Sequence, residues 1–142
     1  MRTEVERLIA LAESRPGARR RLRALRSGDP PEAWLLLHEA FGGRGSVDHL
    51  RAVGVLAGTF RHKPGLHPAR ALKERPERLK RILAAPTGPE MAEALARQGG
   101  LVEELDLVEA CLAVFYWSPR RAIEWARRAY TEKEAKEAKE EA

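Results

Sequence analysis

The stretch SPRRAIEWARRAY, at residues 118–130, decides the fold class of this chain. Serine followed by proline is typical of a helix start, because serine caps free N–H groups and proline suits the first helical position. On a helical wheel, one side carries the charged residues Arg120, Arg121, Glu124, Arg127 and Arg128. The other side carries the apolar residues Ala122, Ile123, Trp125, Ala126, Ala129 and Tyr130. This separation predicts an amphipathic helix that packs Trp125 and Tyr130, together with the preceding Trp117, against a core.

The rest of the chain has the same helical character. Proline and glycine interrupt it repeatedly, no segment alternates polar and apolar residues as a strand does, and β-branched residues are scarce. We therefore predict an all-α fold, a compact bundle of about seven to eight helices. Helices are expected at residues 3–14, 18–26, 33–41, 47–61, 91–98, 101–117 and from 119 onward, with a kinked helix or two short helices between 68 and 83.

The length of 142 residues is sufficient for one hydrophobic core without disulfides or metal. We predict a single domain over residues 1–131, with two helical sub-lobes at 1–61 and 66–131 as the alternative. Residues 132–142 consist of Glu, Lys and Ala and are expected to form a charged, solvated tail. Gly54 and Gly58 lie one helical turn apart and predict a close helix contact.

The net charge of +5 is unevenly distributed along the chain. Residues 44–81 carry ten basic and three acidic side chains, whereas residues 82–119 carry one basic and six acidic. Arginine outnumbers lysine by 20 to 6, and arginine is suited to forked contacts with phosphate. A GC-rich or thermophilic genome would produce the same bias, so both explanations remain open.

The strongest basic signal lies between residues 15 and 26, which contain six arginines and no acid. On a wheel, Arg19, Arg20, Arg23 and Arg26 share one side of the helix, opposite Ala18, Leu22 and Leu25. Like charges one turn apart repel each other unless a polyanion offsets the repulsion. This row therefore predicts contact with a phosphate backbone.

Catalytic and metal-binding signatures are absent from the sequence. There is no nucleophile elbow, zinc-protease helix motif or phosphate-binding loop of the GxxxxGK[ST] type. The four histidines and Cys111 lack the spacing of a zinc site, and Cys111 lies among apolar residues as a core side chain would. No apolar run approaches the ~20 residues of a membrane span. We expect a cytoplasmic, non-enzymatic protein without cofactor, metal or membrane contact.

Three ordered motifs carry a family resemblance. They are GARRRLR at residues 17–23, ERLKRIL at 77–83, and LDL at 105–107 followed by YWSP at 116–119 and WARRAY at 125–130. With these motifs the chain resembles the small subunit of the type I-E CRISPR surveillance complex, the CasB family of Cascade. The chain differs from that family in its shorter middle region and in having Ala110-Cys111-Leu112 where the family has an Asp-Leu pair.

The resemblance implies an all-helical, non-catalytic protein that binds nucleic acid. Its implied partners are CRISPR RNA, the target and displaced DNA strands, other Cascade subunits, and further copies of itself in tandem. The motifs place nucleic-acid contacts at Arg19, Arg20, Arg23, Arg78, Arg81, Arg127 and Arg128, and the helical wheels add Arg26, Arg120 and Arg121. Two alternatives stay open: a helical adaptor that binds only proteins, and the small subunit of another CRISPR subtype.

Overall fold

The computed structural model describes the backbone of residues 1–141 and the side chains of residues 1–130. Within this part, the chain forms nine α-helices, one 3-10 turn and two very short strands. In chain order they are α1 (Arg2–Ser14), α2 (Ala18–Arg23), the 3-10 turn (Ala24–Arg26), α3 (Pro31–Phe41), α4 (Val47–Thr59), β1 (Arg61–His62), α5 (Pro68–Ala71), α6 (Pro76–Leu83), α7 (Gly88–Ala96), β2 (Glu104–Leu105), α8 (Leu107–Tyr116) and α9 (Pro119–Glu141). The prediction of an all-α bundle is confirmed.

Helix α4 lies at the centre of the bundle. Ser46 caps its start by accepting a hydrogen bond from the backbone N–H of His49. Residues 52–58 are all buried, so this part of the helix is enclosed on every side rather than amphipathic. It packs most extensively on α2, α7 and α8. Elements of both predicted sub-lobes therefore meet on α4, and one continuous hydrophobic cluster joins them.

Helix α9 packs against α5 and α6 and is anchored by Trp125, which is 1% exposed. The Trp125 ring meets the rings of Trp117 and His67 edge-on, with centroids 5.2 and 5.1 Å away. The sequence predicted Tyr130 as a further core anchor, and that prediction is wrong because Tyr130 is 52% exposed. Ile123 is 62% exposed, since α9 buries a narrower strip than its apolar side offers.

The pairing of β1 with β2 was not predicted from the sequence. The two strands are parallel, with Arg61 opposite Glu104 and His62 opposite Leu105. This pairing ends α4 at Thr59 rather than at residue 61, and it delays α8 to Leu107 rather than residue 101. Two-residue strands carry no periodic signal, which is why the sequence pattern missed them.

The other predicted elements agree closely with the structure. The region from 68 to 83 forms two short helices, α5 and α6, each beginning at a proline. Thr87 caps α7 through its hydroxyl, which accepts from the N–H of Glu90. No helix in the described part is long and apolar enough to cross a membrane. The predicted tail at 132–142 lies outside the residues whose side chains are described.

Candidate nucleic-acid interface

The short helix α2 carries the arginine row that the sequence singled out. It follows Gly17, whose φ of 75° lies in the left-handed region that glycine adopts readily. The buried side of this segment consists of Ala18, Leu22 and Leu25. The opposite side consists of the exposed Arg20, Arg23 and Arg26 and the half-buried Arg19. The wheel assignment for this helix is therefore confirmed.

Helix α2 is held against α4 by backbone contact at Gly58. A Cβ atom at this position would lie 2.5 Å from the backbone nitrogen of Arg23 and 2.7 Å from the carbonyl oxygen of Arg19. The guanidinium Nε of Arg23 donates to the carbonyl of Gly58 over 3.2 Å. The predicted close helix contact is confirmed, and it fixes the position of the arginines relative to α4.

This approach produces an arginine cluster formed by Arg19, Arg23 and Arg61. Burial is the main cause of a lowered pKa for the Arg19 guanidinium, and the positive charges of Arg61 and Arg23 lower it further, whereas Glu13 acts in the opposite direction. The Nε of Arg19 is buried and has no hydrogen-bond partner within the described part of the chain. The cluster therefore concentrates positive charge and leaves one donor unsatisfied.

Arg61 was missed by the sequence analysis. It was expected to end a helix, but it lies on β1, where its backbone N–H donates to the carbonyl of Glu103. The only signal in the sequence was its place in the basic region 44–81. That signal could not show that Arg61 lies beside a helix more than thirty residues earlier in the chain.

Several arginines of the described part form an ion pair with a carboxylate. They include Arg2, Arg15, Arg44, Arg51, Arg97 and Arg121. Arg15 belongs to the acid-free run at residues 15–26, yet its Nη1 lies 2.6 Å from Oε2 of Glu39 on α3. Among the predicted contact residues other than Arg128, only Arg121 has such a partner within the described part.

The remaining arginines of the row face different surroundings. Arg20 lies along a shallow groove next to Arg21 and Pro30. Arg26 lines a separate cleft that also contains Asp48, Glu90 and Glu93. The exposed arginines of this row therefore border two different surface depressions, and Arg26, on the 3-10 turn, lines the one that contains both acidic side chains and Arg51.

Helix α6 presents the next two predicted residues, Arg78 and Arg81. Both are exposed. The Nη1 atom of Arg78 donates to Oε1 of Gln98 over 2.9 Å, which joins α6 to the end of α7. Arg81 has no such contact within the described part. Arg78 therefore has a structural partner that the motif did not indicate.

Helix α9 presents the last four predicted residues. Arg120, Arg127 and Arg128 are exposed on it. Arg121 is partly buried, with its guanidinium 6.0 Å from the ring centre of Tyr116 and its Nη1 3.7 Å from Oε1 of Glu109. Because α9 packs on α5 and α6 while α2 packs on α1, α3 and α4, these arginines belong to a different part of the bundle from the cluster.

The acidic residues before and within α8 have structural roles. Asp106 caps α8 by accepting from the N–H groups of Val108 and Glu109. Glu109 accepts from Nε1 of Trp125 over 3.1 Å, and Nε2 of His67 lies 3.6 Å from the same carboxylate. His67 is the main cause of the lowered pKa of Glu109, which burial opposes. The carboxylate connects α5, α8 and α9.

No group of three or more His, Cys, Asp or Glu side chains in the described part is arranged to hold a metal ion. Cys111 is fully buried, as the sequence predicted. Comparisons with protein-family models, with characterised proteins and with solved structures find no match for this chain. The resemblance to the CasB family therefore stays a prediction.

Proposed function

We propose that this protein is a non-catalytic nucleic-acid-binding subunit that contacts the phosphate backbone through the arginine cluster and Arg20. The observation that carries the proposal is that Arg61 and Arg19 line one cleft and that the positive charges of Arg61 and Arg23 both act on the Arg19 guanidinium, whose Nε has no hydrogen-bond partner in the described part. Such a cluster is electrostatically unfavourable in isolation, and a polyanion offsets the repulsion.

Backbone recognition fits the type and placement of these residues. Guanidinium groups bind phosphate oxygens in forked geometry and read no base sequence when they contact only the backbone. The helix that carries Arg19, Arg20 and Arg23 is fixed by backbone contact with α4, so its backbone does not have to be ordered on binding. We therefore expect binding with weak sequence preference and strong salt dependence.

The family resemblance specifies the biological setting of the proposal. A small subunit of Cascade holds the guide RNA–target DNA duplex and the displaced strand. Exchange of a DNA duplex for an RNA–DNA duplex is nearly balanced in free energy. A few backbone contacts can therefore favour the state in which the guide RNA is paired and the second DNA strand is displaced. In this setting the other partners are Cascade subunits and neighbouring copies of this chain.

Salt titration of binding tests the proposal. Affinity for a fluorescent single-stranded oligonucleotide is measured over a series of salt concentrations for wild type, Arg20→Glu and Arg61→Glu. Arg7→Glu is the matched control, because Arg7 is exposed on the outer side of α1 and the substitution changes the net charge equally. Loss of one phosphate contact should make the negative slope of log K against log salt less steep by about 0.7 for a single strand.

Two outcomes contradict the proposal. Binding that does not respond to salt excludes phosphate contacts as its source. Equal weakening by Arg7→Glu and by the two site variants would show that only the overall charge matters, rather than the cluster.

A protein-binding adaptor is the second candidate, and the exposed apolar side chains of α9 favour it. Ile123 and Tyr130 are seven residues apart, which places them on the same side of α9, and more than half of each residue is exposed. Substituting both by serine should abolish capture of a protein partner from nuclease-treated lysate if the adaptor function is correct. The same substitutions should leave oligonucleotide affinity unchanged if the arginine cluster alone binds the strand.

A further inference from the structure

A cleft lies beside the arginine cluster, between α1, the start of α2, the end of α4 and β1. Its volume is about 410 Å³. The polar side chains that line it are Glu13, Arg19, Arg61, His62 and Glu104. None of these residues except Arg19 was a predicted contact, so the cleft is a feature that only the folded chain creates.

Three of the lining groups are hydrogen-bond donors. Arg19 and Arg61 contribute guanidinium N–H groups, and the buried Nε of Arg19 lacks an acceptor within the described residues. The Nδ1 of His62 accepts from the backbone N–H of Leu107 over 3.0 Å. A neutral imidazole that accepts at one nitrogen carries its hydrogen on the other, so Nε2 of His62 is a donor. The set is suited to an oxyanion.

The charges around the cleft define which oxyanion fits. Arg19 and Arg61 are positive, and Glu13 and Glu104 are negative. The Nζ of Lys63 lies 3.2 Å from Oε1 of Glu104 and offsets that carboxylate. The lining itself therefore carries two positive and two negative charges. Beside it, Lys63 and Arg23 add two positive charges, and Asp106, whose Oδ1 lies 3.9 Å from Nδ1 of His62, adds one negative charge. The lining and these neighbours together have a surplus of one positive charge, which a monoanion neutralises and a dianion exceeds.

We propose that this cleft binds one internal phosphodiester of the nucleic-acid strand, with Arg19, Arg61 and the Nε2–H of His62 donating to its oxygens. The inference rests on the proposed function and adds to it a defined phosphate site. An internal phosphodiester is a monoanion, whereas a terminal phosphate or inorganic phosphate carries nearly two charges at neutral pH. The site is therefore selective for the interior of a strand over its end.

The test uses thymidylyl-(3′→5′)-thymidine, which has a single phosphodiester, and follows the His62 ring proton by NMR. Titration should shift this resonance in a saturable way, and Arg19→Met should weaken the binding by about tenfold. Arg7→Met is the matched control, because it makes the same charge change at an exposed residue of α1 outside the cleft lining, and it should leave the titration unchanged. Thymidine 5′-monophosphate and inorganic phosphate, added separately, should each bind more weakly than the dinucleotide.

A second variant guards against a folding defect in Arg19→Met. In His62→Asn the side-chain carbonyl can still accept from the N–H of Leu107, but the Nε2–H donor is lost. Binding of the dinucleotide, followed by the amide resonance of Arg61, should weaken in this variant as well.

The outcomes separate this site from the broader function. If a ten-residue oligothymidylate binds in a salt-dependent way while His62 does not shift, the cleft proposal is wrong and the proposed function stands. If neither the oligonucleotide nor the dinucleotide binds, both are wrong. Tighter binding of the monophosphate than of the dinucleotide would overturn the selectivity.

Discussion

Replacing Gly58 by alanine should destabilise the bundle and displace the arginine helix. The added Cβ would meet the backbone of α2 at 2.5 Å from the nitrogen of Arg23 and 2.7 Å from the oxygen of Arg19. Backbone atoms cannot rotate away as a side-chain end can. The two helices must therefore move apart, which opens the contact that holds α2 on α4.

The size of the effect follows from two opposing contributions. Overpacking of a tight core contact costs up to ~3 kcal/mol. Alanine is favoured over glycine within a helix by ~1 kcal/mol. The free energy of unfolding should therefore fall by about 2 kcal/mol, which for a chain of this size lowers Tm by roughly 4–8 °C.

Gly54→Ala is the matched control on the same helix. Its Cβ would lie 2.7 Å from a terminal methyl of Leu25 and 3.4 Å from the methyls of Leu37. Because these are the ends of flexible side chains, they can shift at little cost. The helix preference for alanine should offset that cost and keep the stability change within ~1 kcal/mol of wild type.

Urea unfolding followed by circular dichroism measures both variants, and oligonucleotide affinity is measured on the same samples. Gly58→Ala should lose both stability and affinity because α2 carries Arg19 and Arg23. Gly54→Ala should keep both properties. Equal stability of the two variants would refute the argument that backbone contact at Gly58 positions the cluster.

Three further predictions concern the centre of the fold. The pKa of Glu109 is lowered, so its ionised form stabilises the protein above the carboxyl's ordinary pKa of 4.5, and this stabilisation is lost as pH falls through the lowered value. In Glu109→Gln the free energy of unfolding, measured with urea between about pH 3 and pH 7, should therefore fall less at acid pH than in wild type. The same fall in both proteins would contradict this prediction. Trp125→Phe should lower the free energy of unfolding by ~0.5–1.5 kcal/mol through the lost hydrogen bond to Glu109, and Trp125→Ala by ~3–5 kcal/mol through the lost ring; an unchanged free energy of unfolding in Trp125→Phe would argue against the bond. Burial raises the pKa of the Cys111 thiol to about 12, so iodoacetamide should label it, as read by mass spectrometry, only after denaturation; rapid labelling of the native protein would show that the thiol is accessible.

The sequence predicted most helices because proline, glycine and capping residues mark their ends locally. Ser46 and Thr87 cap the helices that they were expected to start, and Pro76 separates α5 from α6 as proposed. The errors fall where contacts between distant segments decide the structure. The β1–β2 pair shortens two predicted helices, and no residue near Arg61 signals that Glu104 will lie opposite it.

The candidate site shows the same division. The wheel correctly placed Arg20 and Arg23 opposite the buried Leu22, since helical periodicity is a local property. It could not show that Arg15 would pair with Glu39 or that Tyr130 would be exposed. Both depend on which neighbouring helix covers a given face.

By itself, the sequence determined that this chain is a helical bundle with arginines arranged along one side of a short helix. Periodicity and chain breaks are sufficient for that, because each acts within a few residues. Only the tertiary structure decided which arginines are neutralised, and it brought Arg61 and His62 beside Arg19 to form a cleft. The reason is the contact at Gly58 and the parallel strand pair, which join segments far apart in the chain.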